Sequence, residues 1–174
     1  MRQLEACVSG IGEEQTMRRK DREVTDVLGL KEILDMCKTC HVAMVDNGKP
    51  YVVPLSFGYR LLEDGTLELY FHSAKEGRKM DILRNNPLVC FEMSQEGETV
   101  PADTPCNSGY YYSSLIGNGE VCFLNEVQEK CGALSRMFYQ QTGQEIEFQE
   151  KQAETVCVYK IVSRDFTGKR KLKV

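Results

Sequence analysis

His41-Val42-Ala43-Met44-Val45-Asp46-Asn47-Gly48-Lys49-Pro50-Tyr51-Val52-Val53-Pro54-Leu55-Ser56-Phe57-Gly58-Tyr59 reads as a β-hairpin. Its flanks are rich in β-branched and aromatic residues in a period of two, and Asp46-Asn47-Gly48 supplies the residues that tolerate the positive φ of a tight hairpin turn. Pro54 is the irregular member. It has no N–H to give to a ladder, so this strand belongs at an edge or a bulge, where main-chain groups stay free for another partner.

Working outward, the turn Glu63-Asp64-Gly65 leads into Thr66-Leu67-Glu68-Leu69-Tyr70-Phe71-His72, a third strand that stops at Ser73-Ala74. Residues 75–85 place Met80 and Leu83 at helical spacing, and Asn86-Pro87 ends that helix. Further strand patterns occupy residues 88–93, 110–115 and 119–124, with Pro101, Pro105 and Gly109 as interruptions. Ala133, Leu134, Met137 and Phe138 share one face of a helix of roughly four turns that stops before Gly143. Residues 156–162 form a last strand. Upstream, Leu30, Ile33, Leu34 and Cys37 mark an amphipathic helix over residues 29–38. Closely spaced antiparallel strands with helices inserted between them predict a mainly β, α+β barrel rather than a doubly wound parallel sheet.

A chain of 174 residues fits one domain. Residues 1–16 lack either periodicity and read as a loosely ordered extension, which leaves the domain to residues 17–174. A net charge of −4 provides no basic field for phosphate backbones, which argues against nucleic acid. No apolar run approaches the roughly 18 residues of a membrane span, and Gly10, Glu13 and Glu14 lie where a secretory apolar segment would be. A cytoplasmic protein with no membrane partner is expected, and its eight cysteines are expected to be reduced thiols.

The segment richest in chemistry is Phe71-His72-Ser73-Ala74-Lys75-Glu76-Gly77-Arg78-Lys79. A strand ends in a small hydroxyl residue and three cations flank the start of a helix, whose unpaired N–H groups attract anions, so a phosphate would fit. A solvated basic helix start accounts for the same residues. His72 is a candidate for proton transfer or a hydrogen-bonded histidine at a strand end. Tyr110-Tyr111-Tyr112 alternates faces, so at most two rings share a pocket or an interface. Cys37-Lys38-Thr39-Cys40-His41 matches the pattern of covalent haem attachment, but no export signal accompanies it. Zinc would need four ligands, and no second pair of the right spacing exists. A helix end with one core and one surface cysteine is the expectation.

Taken in order, MRRKDREVTD, AMVDNGKPYVVPLSFGY, LYFHSAKEGRKMDILRNNPLVCFE, YYSSLIGNGEV and DFTGKR resemble the FMN-binding split-barrel proteins of the pyridoxamine 5'-phosphate oxidase superfamily, nitroimidazole-resistance branch. The resemblance runs from Met17 to about Arg170. It implies a six-stranded antiparallel split barrel with flanking helices, working as a homodimer with FMN at the subunit interface. Val53, Pro54, Leu55, Ser56, Phe57 and Gly58 would line the flavin ring. His72, Ser73, Ala74, Lys75, Arg78 and Lys79 would hold the phosphate side. Ser113, Ser114, Ile116 and Gly117, on the strand that includes Tyr112 and Leu115, would close the pocket from the partner. His72 matches the histidine linked with activity in that branch. The Arg-rich C-terminal substrate motif of true pyridoxamine-phosphate oxidases is absent, which argues against vitamin B6 oxidation. The implied activity is FMN-dependent reduction of a small acceptor such as a nitroaromatic, and the alternative is a flavin or haem carrier or sensor on the same barrel.

Overall fold

The structure, a computed structural model, describes residues 17–171. The extension assigned to residues 1–16 lies outside the described residues. The elements are β1 (Glu23–Val24), α1 (Val27–Met36), β2 (Thr39–Asp46), β3 (Lys49–Ser56), β4 (Gly58–Leu61), β5 (Leu67–Ser73), α2 (Arg78–Asn85), β6 (Leu88–Val100), β7 (Gly109–Phe123), α3 (Val127–Thr142), α4 (Glu150–Ala153) and β8 (Cys157–Lys171). None of the described helices is long and apolar enough to cross a membrane.

The hairpin forms as read, with β2 and β3 in unbroken antiparallel register from Thr39 opposite Ser56 to Asp46 opposite Lys49. Asn47 and Gly48 take φ of 49° and 81° in the turn. Strand order across the sheet is β3-β2-β6-β7-β8-β5-β4, with β1 added to β8. The two ends of that order, β3 and β4, are separated by one residue, Phe57. Consecutive Cα atoms are about 3.8 Å apart, so the sheet must curl until its ends meet. The result is a barrel with a slit, where β3 turns away to pair with β2 and β4 pairs with β5.

Eight strands stand where six were expected. The additional ones are short: β1 has two residues, and the four-residue β4 is the continuation of the hairpin strand after its break at Phe57. Two strands expected at residues 110–115 and 119–124 are one, β7. Gly117 and Gly119 do not end it, although its register with β8 shifts between Asn118 and Glu120; they let neighbours close in, since a Cβ on Gly117 would lie 2.5 Å from Phe166 Cβ and one on Gly119 2.5 Å from Ile161 Cγ2. The final strand is also longer than expected and runs through the DFTGKR segment.

Alternation along β5 divides its side chains between two cores. Leu67, Leu69 and Phe71 fill the barrel with Val42, Phe91, Leu115 and Ile161, while Tyr70 packs outside with Leu134 and Met137 of α3. The same outer face buries Glu68, whose carboxylate accepts hydrogen bonds from Tyr70 Oη (2.6 Å), Lys160 Nζ (2.6 Å) and Arg60 Nε (2.9 Å). Helix α1 starts with Asp26 accepting from Gly29 N at 2.7 Å. It ends with Gln140 of α3 donating to the carbonyls of Leu34 and Cys37, which satisfies groups that a helix leaves open. Helix α3 ends at Gly143, left-handed as expected. Cys37 and Cys40 are both fully in the core, and burial pushes both thiols up, Cys37 to about 11. The expected surface cysteine is thus a core residue, because Cys40 takes an inward position of β2, and neither thiol has the character of a redox dithiol.

Tyr159 is the largest fully buried side chain, stacked on Phe71 at 5.5 Å, and its phenol oxygen has no hydrogen-bond partner among the described residues. An unpaired buried hydroxyl costs about 1–3 kcal/mol. Tyr159→Phe keeps the ring and removes that cost, so it is expected to raise the urea midpoint. A loss of more than 1 kcal/mol would show instead that the hydroxyl is paired, for example by a buried water.

Candidate active site at the slit

Register fixes what faces the slit. Pro50 and Pro54 occupy the same phase of β3, and the ladder to β2 is unbroken, so that phase must point its main-chain groups away from β2. Val52 and Ser56 share the phase and have N–H groups, so they present donors and acceptors along the open edge. Opposite them, β5 pairs with β4 only as far as Tyr70 opposite Gly58, leaving that side of Phe71–Ser73 without a strand neighbour. Val53 and Leu55 turn inward to the barrel core, while Pro54 and Ser56 are exposed. Phe57 is 0% exposed and packed in the core. Gly58 lies beneath α3, where a Cβ would be 2.6 Å from Met137 N. Phe57 and Gly58 therefore stand behind the wall on which they were expected, because the chain crosses from one strand partner to the other at that point.

The end of β5 and the start of α2 bring His72, Ser73 and Lys79 together. Lys79 is half-buried, lies over the Tyr159 ring at 5.9 Å and has no acidic partner among the described residues. Burial lowers its ammonium below the ordinary lysine value. His72 is also pushed down, first by partial burial and then by the Lys79 charge. Arg78 points elsewhere: its guanidinium holds Asp46 at 2.9 Å and covers the Tyr51 ring at 4.2 Å. Ala74 and Lys75 are exposed on the loop before Gly77, and the Lys75 carbonyl accepts from Arg84 at 2.8 Å. Sequence spacing had left the three cations equivalent, and folding separates them.

The β7 residues do not join this group within one chain. Pro54, His41, Glu92 and Ile116 lie in one row across β3, β2, β6 and β7. Three strand spacings separate the first from the last, roughly 14 Å. Ser114 is half-buried and Ile116 is 51% exposed, whereas Ser113 is buried beneath Arg170 and Gly117 is buried against Phe166. Val45, Val52 and Leu88 are exposed on the same outer face as Ile116, an apolar patch across four strands. The patch was missed in the sequence because each of its residues is an ordinary member of an alternating strand.

Comparison with known proteins supports the fold. Among solved structures, a protein described as a candidate 5-nitroimidazole antibiotic resistance protein from Bacteroides thetaiotaomicron is 29% identical, with a TM-score of 0.72 over 85% of this chain and 86% of that one. A FAD- and haem-binding protein from Mycobacterium smegmatis (18% identity, TM-score 0.72, 87% and 74% covered) shares the fold. So does the flavocytochrome Anf3 from Azotobacter vinelandii (20% identity, TM-score 0.72, 91% and 73% covered). No curated protein sequence matches. The family model described as pyridoxamine 5'-phosphate oxidase matches residues 29–170, which takes in the slit, α2 and the full length of β7, and the chain belongs to that family.

Proposed function

We propose that this chain binds FMN in the slit and acts as a flavin-dependent oxidoreductase on a small planar acceptor such as a nitroaromatic. The observation that carries the reading is Lys79, a half-buried cation without an acidic partner among the described residues, placed beside Ser73 and His72. A dianionic phosphate is the charge that this position answers. The open β3 edge supplies the donors and acceptors that a flavin's pyrimidine rim requires, and the fit is good on both counts. When bound, FMN would supply two-electron transfer, which no side chain offers. The residues of the chain do the rest: Lys79 and Ser73 hold the phosphate end, the β3 edge orients the ring, and His72 is the side chain placed to exchange a proton.

A second copy completes the site in this reading. Ile116 and Ser114 reach no part of their own slit, and the apolar patch on which they lie is the surface that a partner would cover. Light scattering at micromolar concentration is expected to give the dimer mass, and Val52→Glu with Ile116→Glu is expected to give monomers that release flavin. A monomeric parent would overturn the composite site. The function itself is tested by heating purified protein and identifying the released ligand by mass spectrometry. FMN is expected; FAD, haem or no ligand would overturn the cofactor assignment.

A further inference from the structure

A pair of ionisable side chains stands in the middle of the exposed sheet face. His41 Nδ1 lies 3.1 Å from Glu92 Oε2, and both side chains are open to solvent. Their surroundings on that face are apolar, with Val45, Val52, Leu88 and Ile116 all exposed. Covering the patch would strip water from the pair. Such a loss is offset only where the covering surface returns partners of the right kind to the two groups.

Register shows which partners a second copy would return. Pro54, His41, Glu92 and Ile116 cross β3, β2, β6 and β7 in steps of about 4.8 Å. The next row is Val52, Ala43, Cys90 and Asn118, and one step further Val45 and Leu88 are neighbours on β2 and β6. Sheets packed face to face commonly keep their strands aligned, so a two-fold axis between two copies runs either along the rows or along the strands. An axis along the rows keeps β7 over β7, three strand spacings from the partner's slit. An axis along the strands reverses the strand order. It brings Ile116 to the partner's Pro54 only if it passes midway along the row, between β2 and β6.

We infer that the dimer axis runs along the strands between β2 and β6, so that His41 of each subunit meets the partner's Glu92. Imidazole and carboxylate then alternate around the axis, and each carboxylate has two imidazoles beside it. The same arrangement sets Val45 on the partner's Leu88, so the aliphatic part of the patch is answered in kind. The inference rests on the composite site proposed above and deepens it by fixing how the second copy is seated.

Charge reversal at the axis tests it, read by light scattering of the full chain in the presence of FMN. His41→Glu would bring four carboxylates together in a homodimer, and His41→Lys with Glu92→Lys would bring four ammonium groups together. Each chain alone is expected to dimerise at least tenfold more weakly than the parent, with native circular dichroism because both positions are exposed. An equimolar mixture is expected to recover the parent's affinity, since every carboxylate then meets a lysine of the partner. A mixture as weak as its components would confine the pair to its own chain and overturn the inference. Variants that each dimerise like the parent would place the axis elsewhere, which overturns the inference and leaves the composite site standing. A monomeric parent would overturn both.

Discussion

Replacing Arg78 and Lys79 together with alanine is expected to weaken FMN binding at least tenfold while riboflavin, with the same ring and no phosphate, loses much less. A well-ordered charge-assisted contact contributes about 1.5–3 kcal/mol, and a tenfold change needs only about 1.4 kcal/mol. The geometry further divides the effect between the two. Lys79 is half-buried beside His72, so its single replacement should produce most of the loss. Arg78 already satisfies Asp46 and covers Tyr51, so its single replacement should matter less. Fluorescence quenching titrations with both flavins check this. Equal losses for FMN and riboflavin would mean damage to the slit, and an unaltered double variant would move the phosphate elsewhere.

Replacing Glu68 with alanine is expected to cost about 3 kcal/mol of stability, the low end for breaking a buried ion pair, because Arg60 and Lys160 retain access to solvent. Burial pushes the Glu68 carboxyl up, but hydrogen bonds from Lys160 and Tyr70, together with the charges of Lys160 and Arg60, outweigh it and hold the group below its ordinary value. The sign follows from proton counting. Between that lowered value and the unfolded one of about 4.3, the unfolded chain binds more protons, so this contribution is complete above pH about 4.3 and lost as pH falls through the folded value. Glu68→Gln should therefore be less stable than the parent at neutral pH and lack this part of the acid dependence. Urea unfolding at pH 7 and below pH 4 measures both. A cost under 1 kcal/mol for Glu68→Ala would show that solvent replaces the network.

Local chemistry made much of this architecture legible. Asn47-Gly48 specifies a turn by its own φ preferences, Gly143 ends α3 in the same way, and inward alternation along β5 needs only a core on one side. The departures have a different source. That β7 continues as one strand past Gly117 and Gly119, with only a register shift against β8 between Asn118 and Glu120, depends on Phe166 and Ile161 in a strand some forty residues later, and Cys40 is buried because of the phase in which β2 meets β6. For the candidate site, the clustering of cations from His72 to Lys79 was legible in the sequence, whereas the separate fates of Arg78 and Lys79 depend on Asp46 and Tyr51 arriving from the hairpin. Glu68 reads as an ordinary outward residue of an alternating strand until α3 covers it.

The open rim of β3 has a consequence beyond the cofactor. An edge strand with exposed main-chain groups invites a strand from another molecule, and a protein whose pocket is such an edge carries that hazard whenever the pocket is empty. Pro50 and Pro54 sit at the positions whose N–H groups would face a newcomer, so an incoming strand finds gaps where a continuous ladder needs donors. A small ligand needs only the one or two groups that remain between them. The same two prolines would thus oppose polymerisation through the edge proposed to hold the cofactor.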